Sequence, residues 1–302
     1  MNMTHALLRS NSLRNLALTC ACAFMTLAAA TPARAAAAPK AYRFTATAAN
    51  SGAGRMTLDH PALNGKPTLR LIVTQYFTGV YNPHPVGVLY NETSKKWMIV
   101  NEDLTNIPVN ANFNVLVVPG AKMVDVTPKT LHGIYNILPT QKNNPDAILL
   151  QTHVINPVRG LNGQGQTSNV SFYYFNPIAP LGAWSARWVI YQADGSPMIA
   201  ASYNIADVSK LKVGGQFVSF RHQARDANTT DLETTITNPL TDGNPNAVLF
   251  VQHVFTQQAS ANVDEVVGVR YADGKWRIIT EDQTDKLVPV DFNVTVLPAV
   301  TP

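Results

Sequence analysis

The stretch Val267 to Val294, VGVRYADGKWRIITEDQTDKLVPVDFNV, reads as strand, tight turn, strand, acidic turn and strand. Its first strand runs into Ala272-Asp273-Gly274, and Asp-Gly accepts the positive φ that a two-residue hairpin turn demands. The second strand is built on Trp276, the acidic turn is Glu281-Asp282, and the third carries Phe292-Asn293-Val294. The same order recurs at Val86 to Val115, VGVLYNETSKKWMIVNEDLTNIPVNANFNV. A diverged copy runs from Val170 through Trp188 and Asp194 to Tyr203-Asn204-Ile205.

Working outward, Pro61 and Pro67, Pro139 and Pro145, and Pro239 and Pro245 form three pairs, each six residues apart and each followed by a short apolar run. Trp97 and Asp103, Trp188 and Asp194, and Trp276 and Asp282 are likewise six apart. Such self-similarity is the signature of a repeat architecture. Within each copy, runs rich in Val, Ile, Leu, Tyr and Phe alternate with Asn, Gly, Pro and Asp, the pattern of strands and turns. The reading is all-β, with three tandem sandwich- or barrel-like repeat modules of about six strands each. They span residues 36–120, 121–212 (the diverged copy) and 213–302. Short links favour modules packed on one another, either as separate sandwiches or as one pseudo-threefold body. A β-propeller needs blades of roughly 40 to 45 residues, which fits this period poorly.

Residues 1–35 have the order of a secretory signal. Arg9 and Arg14 precede an apolar run, and Ala33-Arg34-Ala35 offers a small-x-small cleavage site. Both cysteines, Cys20 and Cys22, fall inside it, so a processed chain would carry no disulfide. Three of the 23 basic residues, Arg9, Arg14 and Arg34, also lie there, leaving 20 against 19 acidic ones. That balance has no basic footprint for nucleic acid or anionic membrane. Charged residues make up 14% of the chain, below the roughly 25% of an average domain, and Asn, Thr, Gln and Ser take their place. No later run reaches the roughly 18 apolar residues of a membrane helix. The expected location is secreted or periplasmic, in a bacterium.

The chain resembles a module of unknown function found in repeated copies in secreted bacterial proteins. Gly87-Val88-Leu89-Tyr90, Lys96-Trp97-Met98-Ile99 and Phe113-Asn114-Val115 carry the resemblance in the first copy. Gly268-Val269-Arg270-Tyr271, Lys275-Trp276-Arg277-Ile278 and Phe292-Asn293-Val294 carry it in the third. The middle copy departs, with Ser171-Phe172-Tyr173-Tyr174 in place of Gly-Val-x-Tyr and Arg187 in place of Lys. The resemblance implies an architecture and no activity.

Several residues invite a functional reading. The repeated tryptophans could stack on sugar rings, but Trp276, Ile278 and Thr280 share one strand face and alternate with Arg277 and Glu281, which places Trp in the core. Trp184 sits in a lengthened apolar loop of the middle copy, Phe175 to Trp184, and with Tyr173 on the preceding strand it is a candidate ligand contact. The same loop would equally serve module packing or self-association. His153 and His253 occupy the repeat position of Gln75, and the three form a candidate polar site or, more simply, hydrogen-bond buried backbone. No His-x-His, His-Glu-x-x-His or cysteine pair points to a metal. The acidic turns at Glu102-Asp103, Asp194 and Glu281-Asp282 read as Asx-turns before calcium sites. A glycosidase pair is disfavoured because these carboxylates recur at a structural position. Nucleophile elbows and nucleotide loops are absent. The expectation is therefore an exported non-catalytic binding protein, without cofactor, for a carbohydrate or cell-envelope ligand. The alternatives are a structural or self-assembling surface protein and, behind it, a glycoside hydrolase-like enzyme.

Overall fold

The strand signals of each copy become seven strands. A computed structural model of the chain describes residues 37–155, 165–176, 186–209, 217–230, 232–256, 259, 261–283 and 287–301; the leader read at 1–35 and Trp184 lie outside them. The first repeat supplies β1 (Lys40–Thr45), β2 (Ser51–Gly52), β3 (Arg55–Leu58), β4 (Leu71–Tyr76), β5 (Val86–Asn91), β6 (Lys96–Asn101) and β7 (Asn112–Val117). The second supplies β8 (Lys122–Val126), β9 (Leu131–His132), β10 (Tyr135–Ile137), β11 (Leu149–Val154), β12 (Val170–Phe175), β13 (Arg187–Gln192) and β14 (Ala201–Asp207). The third supplies β15 (Val218–Ala224), β16 (Thr229–Thr230), β17 (Glu233–Ile236), β18 (Val248–Phe255), β19 (Val267–Ala272), β20 (Lys275–Thr280) and β21 (Val290–Leu297). The all-β reading holds, and the strand beyond the six expected per copy is the two-residue β2, β9 or β16. At the Asp273-Gly274 turn both residues have positive φ, 52° and 74°, so β19 and β20 close as the hairpin their sequence requires.

Among the described residues these strands form three seven-stranded sheets, each shared by two repeats. The first sheet runs β1-β7-β4-β19-β20-β17-β16, the second β2-β3-β6-β5-β11-β14-β8 and the third β15-β21-β18-β12-β13-β10-β9. Each repeat thus places its first, fourth and seventh strands in one sheet and its other four in another. The two groups join through a short parallel seam: β4 with β19, β11 with β5, and β18 with β12. All other strand pairs are antiparallel. Because the exchange is cyclic, the choice between separate sandwiches and one pseudo-threefold body resolves into both. Each repeat closes a sandwich over its own core, and the sandwiches are welded by common sheets.

The repeated motif residues explain why the exchange is stable. Trp97, Trp188 and Trp276 are buried, one in each sandwich core. Their indole N–H groups donate to the carbonyls of Lys66, Asn144 and Asn244 at 3.0, 2.8 and 2.8 Å. Each of those carbonyls belongs to the residue before the second proline of its pair, a position that proline drives into extended backbone. The Trp and proline offsets noted in the sequence are thus two ends of one contact. A fourth core on the axis takes residues from every repeat, among them Ile72, Leu116, Leu150, Ala206, Val248 and Phe250.

The motif asparagines tie the repeats together across this centre. Asn114 donates to the Leu249 carbonyl at 3.1 Å, Asn204 to Leu71 at 3.0 Å and Asn293 to Leu149 at 2.8 Å. Each bond joins one repeat to the edge of another's apolar strand, and the three close a ring. All three asparagines are at most 1% exposed. Asn114 and Asn293 also accept from the Nε of Arg43 and Arg221 at 3.1 and 3.0 Å. Asn204 faces Met123 in that place, and its carbonyl oxygen has no partner. Replacing Asn293 by Ala should therefore cost about 3 kcal/mol, since it strands a buried carbonyl and a guanidinium, whereas Asn204→Ala should cost about 1 kcal/mol less. Denaturant unfolding midpoints of the two variants, at equal m-values, check the difference.

Candidate functional site

The three seams converge on a pocket of about 70 Å³. Equivalent residues of all three repeats line it, in the trios Val73, Gln151 and Val251; Thr74, Thr152 and Gln252; and Val86, Val170 and Val267. It therefore lies on the pseudo-threefold axis. Two of the trios are also linked around the axis, with Val251 N–H donating to Thr74 Oγ1 at 3.2 Å and Val73 N–H to Thr152 Oγ1 at 2.9 Å. Gln75 and His153 line this pocket as well, so the sequence position they share with His253 marks the seam. Its polarity has a physical cause. One sheet face changes along the seam from the wall of a sandwich core to an outer surface, and the residue at the boundary is buried yet lies next to polar neighbours.

What these residues bind differs at each seam. Between the second and first repeats, His153 Nδ1 lies 2.6 Å from Glu102 Oε1, and Glu102 Oε2 accepts the Gln166 N–H at 2.9 Å. Tyr203 donates to Gln166 Oε1 at 2.9 Å, and the whole network is buried. Between the first and third repeats, Glu281 Oε2 accepts the Asn82 N–H at 3.1 Å, but Oε1 has no partner. Gln75 turns away to donate to the His84 carbonyl at 2.9 Å. Between the third and second repeats no carboxylate takes the equivalent place: Ala193 stands five residues after its tryptophan, where Glu102 and Glu281 stand in theirs. There His253 Nδ1 meets Ser171 Oγ at 2.6 Å. Of the expected backbone-satisfying trio, Gln75 bonds a backbone carbonyl, His253 meets the Ala261 backbone as well as Ser171, and His153 meets the Glu102 side chain.

Glycine explains this pattern. A Cβ at Gly87 would collide with the Glu102 carboxylate, and a Cβ at Gly268 with that of Glu281. Where the glutamate becomes Ala193 the glycine becomes Ser171, and the serine hydroxyl supplies the histidine with the oxygen the carboxylate would have provided. The loop residue follows, with Asn82 and Gln166 giving N–H groups to carboxylates and Val263 in the third copy fully buried. Sequence reasoning placed Glu102 and Glu281 in acidic turns and missed their role at the seam. Their signal was the paired change of Glu with Gly, hidden because the middle copy read as merely diverged.

Other candidates fall elsewhere. The Asx reading holds where it is described, with Asp103 Oδ1 accepting the Thr105 N–H at 2.9 Å and Asp194 Oδ1 the Ser196 N–H at 2.8 Å. Among the described residues no group of three or more His, Cys, Asp or Glu could hold a metal ion. Tyr173 lies on the outer face of the third sheet, in an aromatic cluster with Tyr135, Phe175, Tyr191 and Phe255 at ring separations of 4.7 to 6.5 Å. A recess of about 220 Å³ beside it is lined by Tyr173, Phe255, Asn176, Thr256, Asp146 and Arg221. The matching outer positions are Arg55, Leu89, Asn91 and Val100 in the first repeat, and Glu233, Arg270, Ala272 and Ile279 in the third. There Glu233 bridges Arg270 and Arg277.

A model of a domain of unknown function, DUF7452, matches residues 28–117 and 182–296. The chain belongs to the DUF7452 family. The matched segments hold the first and third repeats, while β8 to β12 of the middle copy lie outside the DUF7452 match. Neither a curated protein nor a solved structure matches the chain.

Electrostatics at the seams yields two expectations. Burial raises the Glu281 carboxyl from 4.5 to about 7, opposed only by the Asn82 N–H. With the folded value above the unfolded one, its contribution is favourable below about pH 4.5 and is lost as pH rises through about 7. Glu281→Gln, which keeps an acceptor for Asn82, should stabilise the fold at pH 8 by about 3 kcal/mol and leave it unchanged at pH 4, as read by thermal or denaturant unfolding at both pH values. Gly268→Ser alone should destabilise strongly, and Gly268→Ser with Glu281→Ala, which copies the third seam, should recover most of the loss. A double-mutant cycle with a coupling below about 0.5 kcal/mol would contradict that account.

Proposed function

We propose that the protein is an exported, non-catalytic binding protein and that its ligand is a neutral glycan of the cell envelope. The observation that supports this reading is the restriction of the aromatic outer face to one of three equivalent sheets. The three repeats share their cores, seams and asparagine ring, yet at the matched outer positions one presents Tyr135, Tyr173, Phe175 and Tyr191, another ion pairs and the third mixed side chains. The matched position of Val100, Tyr191 and Ile279 is buried in all three repeats, but those of Leu89, Tyr173 and Arg270 and of Asn91, Phe175 and Ala272 are half-buried and outside the sandwich cores. Tyr135, Tyr173 and Phe175 are half-buried, with Tyr191 buried beneath them, and such rings beside a polar recess suit a sugar, whose ring stacks on the aromatic while its hydroxyls take the polar groups.

The recess supplies such groups on rigid elements. Arg221 is anchored through Nε to Asn293 and through Nη2 to the Ala147 carbonyl at 3.1 Å, and its guanidinium lies 5.7 Å from the Trp188 ring centre. Asp146, Asn176 and Thr256 complete a set of donors and acceptors around Tyr173 and Phe255. The reading gives none of these a catalytic role and takes the buried, hydrogen-bonded Glu102 and His153 as polar groups of the seam.

Binding of the protein to soluble glycans and insoluble cell-wall polysaccharides, measured with Tyr173→Ala and Leu89→Ala alongside, tests the proposal. One glycan should bind, Tyr173→Ala should weaken it about 3- to 10-fold, and Leu89→Ala at the matched position should leave it unchanged. Binding to no polysaccharide, or equal binding by Tyr173→Ala, would overturn it.

A further inference from the structure

The recess beside Tyr173 does not end at Arg221. A second recess of about 630 Å³ adjoins it, and Asp146, Arg221 and Thr256 line both. Asp146 is exposed and the other two are half-buried, so the boundary between the recesses is open to solvent. The fold does not demand this opening. At the matched junction of the first and third repeats, Arg43 bonds Asn114 and the Ala247 carbonyl just as Arg221 bonds Asn293 and the Ala147 carbonyl. There the Tyr76 ring fills the space between Arg43 and Trp276, 4.2 Å from the guanidinium and 5.3 Å from the indole. Phe77 is covered as well, stacked on Tyr81 at 4.1 Å. At the Arg221 junction the shorter Val254 replaces Tyr76, and Arg221, Trp188 and Phe255, the match of Phe77, stand in the recess wall.

The lining sets the chemistry of what can cross this boundary. Its charges are balanced: Arg221 is offset by Asp146, while Asp291 accepts from Arg225 Nη2 at 2.8 Å and from Thr256 Oγ1 at 2.7 Å. A neutral ligand meets no unpaired charge there. The second recess sets Ile148 and Phe220 beside Ser219 and Gln223, apolar and polar groups side by side. An acetamido group carries the same pairing, a methyl next to an N–H and a carbonyl, whereas a ring of hydroxyls leaves the apolar side unused. A ligand that fills both recesses must be long enough to pass over Arg221. Resting on the sugar reading of the aromatic face, we infer that the two recesses form one groove for a linear, acetamido-bearing glycan of at least two units. One sugar ring lies on Tyr173 in the first recess, and an acetamido group lies against Phe220 in the second.

Ligand-observed NMR with the full-length chain tests this, using N-acetylglucosamine and its β-1,4-linked oligomers up to the hexamer. Cello-oligosaccharides of equal length are the control without acetamido groups. Affinity for the acetylated series should rise about tenfold from monomer to trimer and then level off, and the cello series should bind more weakly at each length. Gln223 is exposed and lines only the second of the two recesses. Gln223→Val should therefore weaken the trimer about threefold and spare the monomer, whereas Tyr173→Ala should weaken both. Affinity independent of length, equal binding of the cello series, or a trimer unaffected by Gln223→Val would overturn the groove. Failure of every acetylated oligomer, while a polysaccharide still binds through Tyr173, would also overturn it and leave the sugar reading standing; no binding by any glycan ends both.

Discussion

Everything in this fold depends on a ring of three buried asparagine amides. Asn114, Asn204 and Asn293 each leave their own repeat and donate to a leucine carbonyl at the start of another repeat's apolar strand. An amide enclosed by the apolar residues of the central core has no water to fall back on, so its bond holds only while the other repeat is in register. The asparagine ring thus makes correct assembly of the three repeats a condition for satisfying each one. Arg43 and Arg221 reinforce it by bonding both the asparagine oxygen and a further backbone carbonyl, at Ala247 and Ala147.

Sharing sheets between repeats creates the seams, and the seams create the molecule's unusual chemistry. A parallel pairing brings the end of one repeat's apolar strand beside the Gly-Val strand of another. Only there can a carboxylate be buried behind a glycine, as with Glu102 behind Gly87 and Glu281 behind Gly268. The same geometry gives a paired carboxylate where the partner is His153, an unpaired and hard-to-ionise one where the partner is Gln75, and none where Ser171 fills the space. His253 at that third seam is fully buried, and burial lowers its pKa to about 4, so it stays neutral. Three equivalent positions have thus been tuned to three electrostatic states by changes of two or three side chains.

Much of this was legible in the chain. Strands, hairpin turns and the threefold repeat followed from alternation, Asp-Gly and fixed offsets, because such signals act over a few residues. The inward Trp276 was legible for the same reason, since strand alternation alone separates it from Arg277. The seam was not. Gln75, His153 and His253 could be aligned as equivalent, but the partners that define them, Gly268, Glu102 and Ser171, lie on or just after other strands, 51 or more residues away in chain order. Asn293 read only as part of a strand motif, because its bond to Leu149 crosses 144 residues.

The sequence by itself determined that this is a three-repeat β protein with one tryptophan core per copy, since periodicity and spacing dictate which face of each strand is apolar. Only the tertiary structure decided that each sheet is built from two repeats, that a polar pocket lies on their common axis, and that Tyr135, Tyr173, Phe175 and Tyr191 gather on the outer face of the third sheet. The physical reason is that local patterns specify what a strand must bury. Which strand lies beside it is settled by long-range hydrogen bonds and close packing, for which a single chain carries no short-range code.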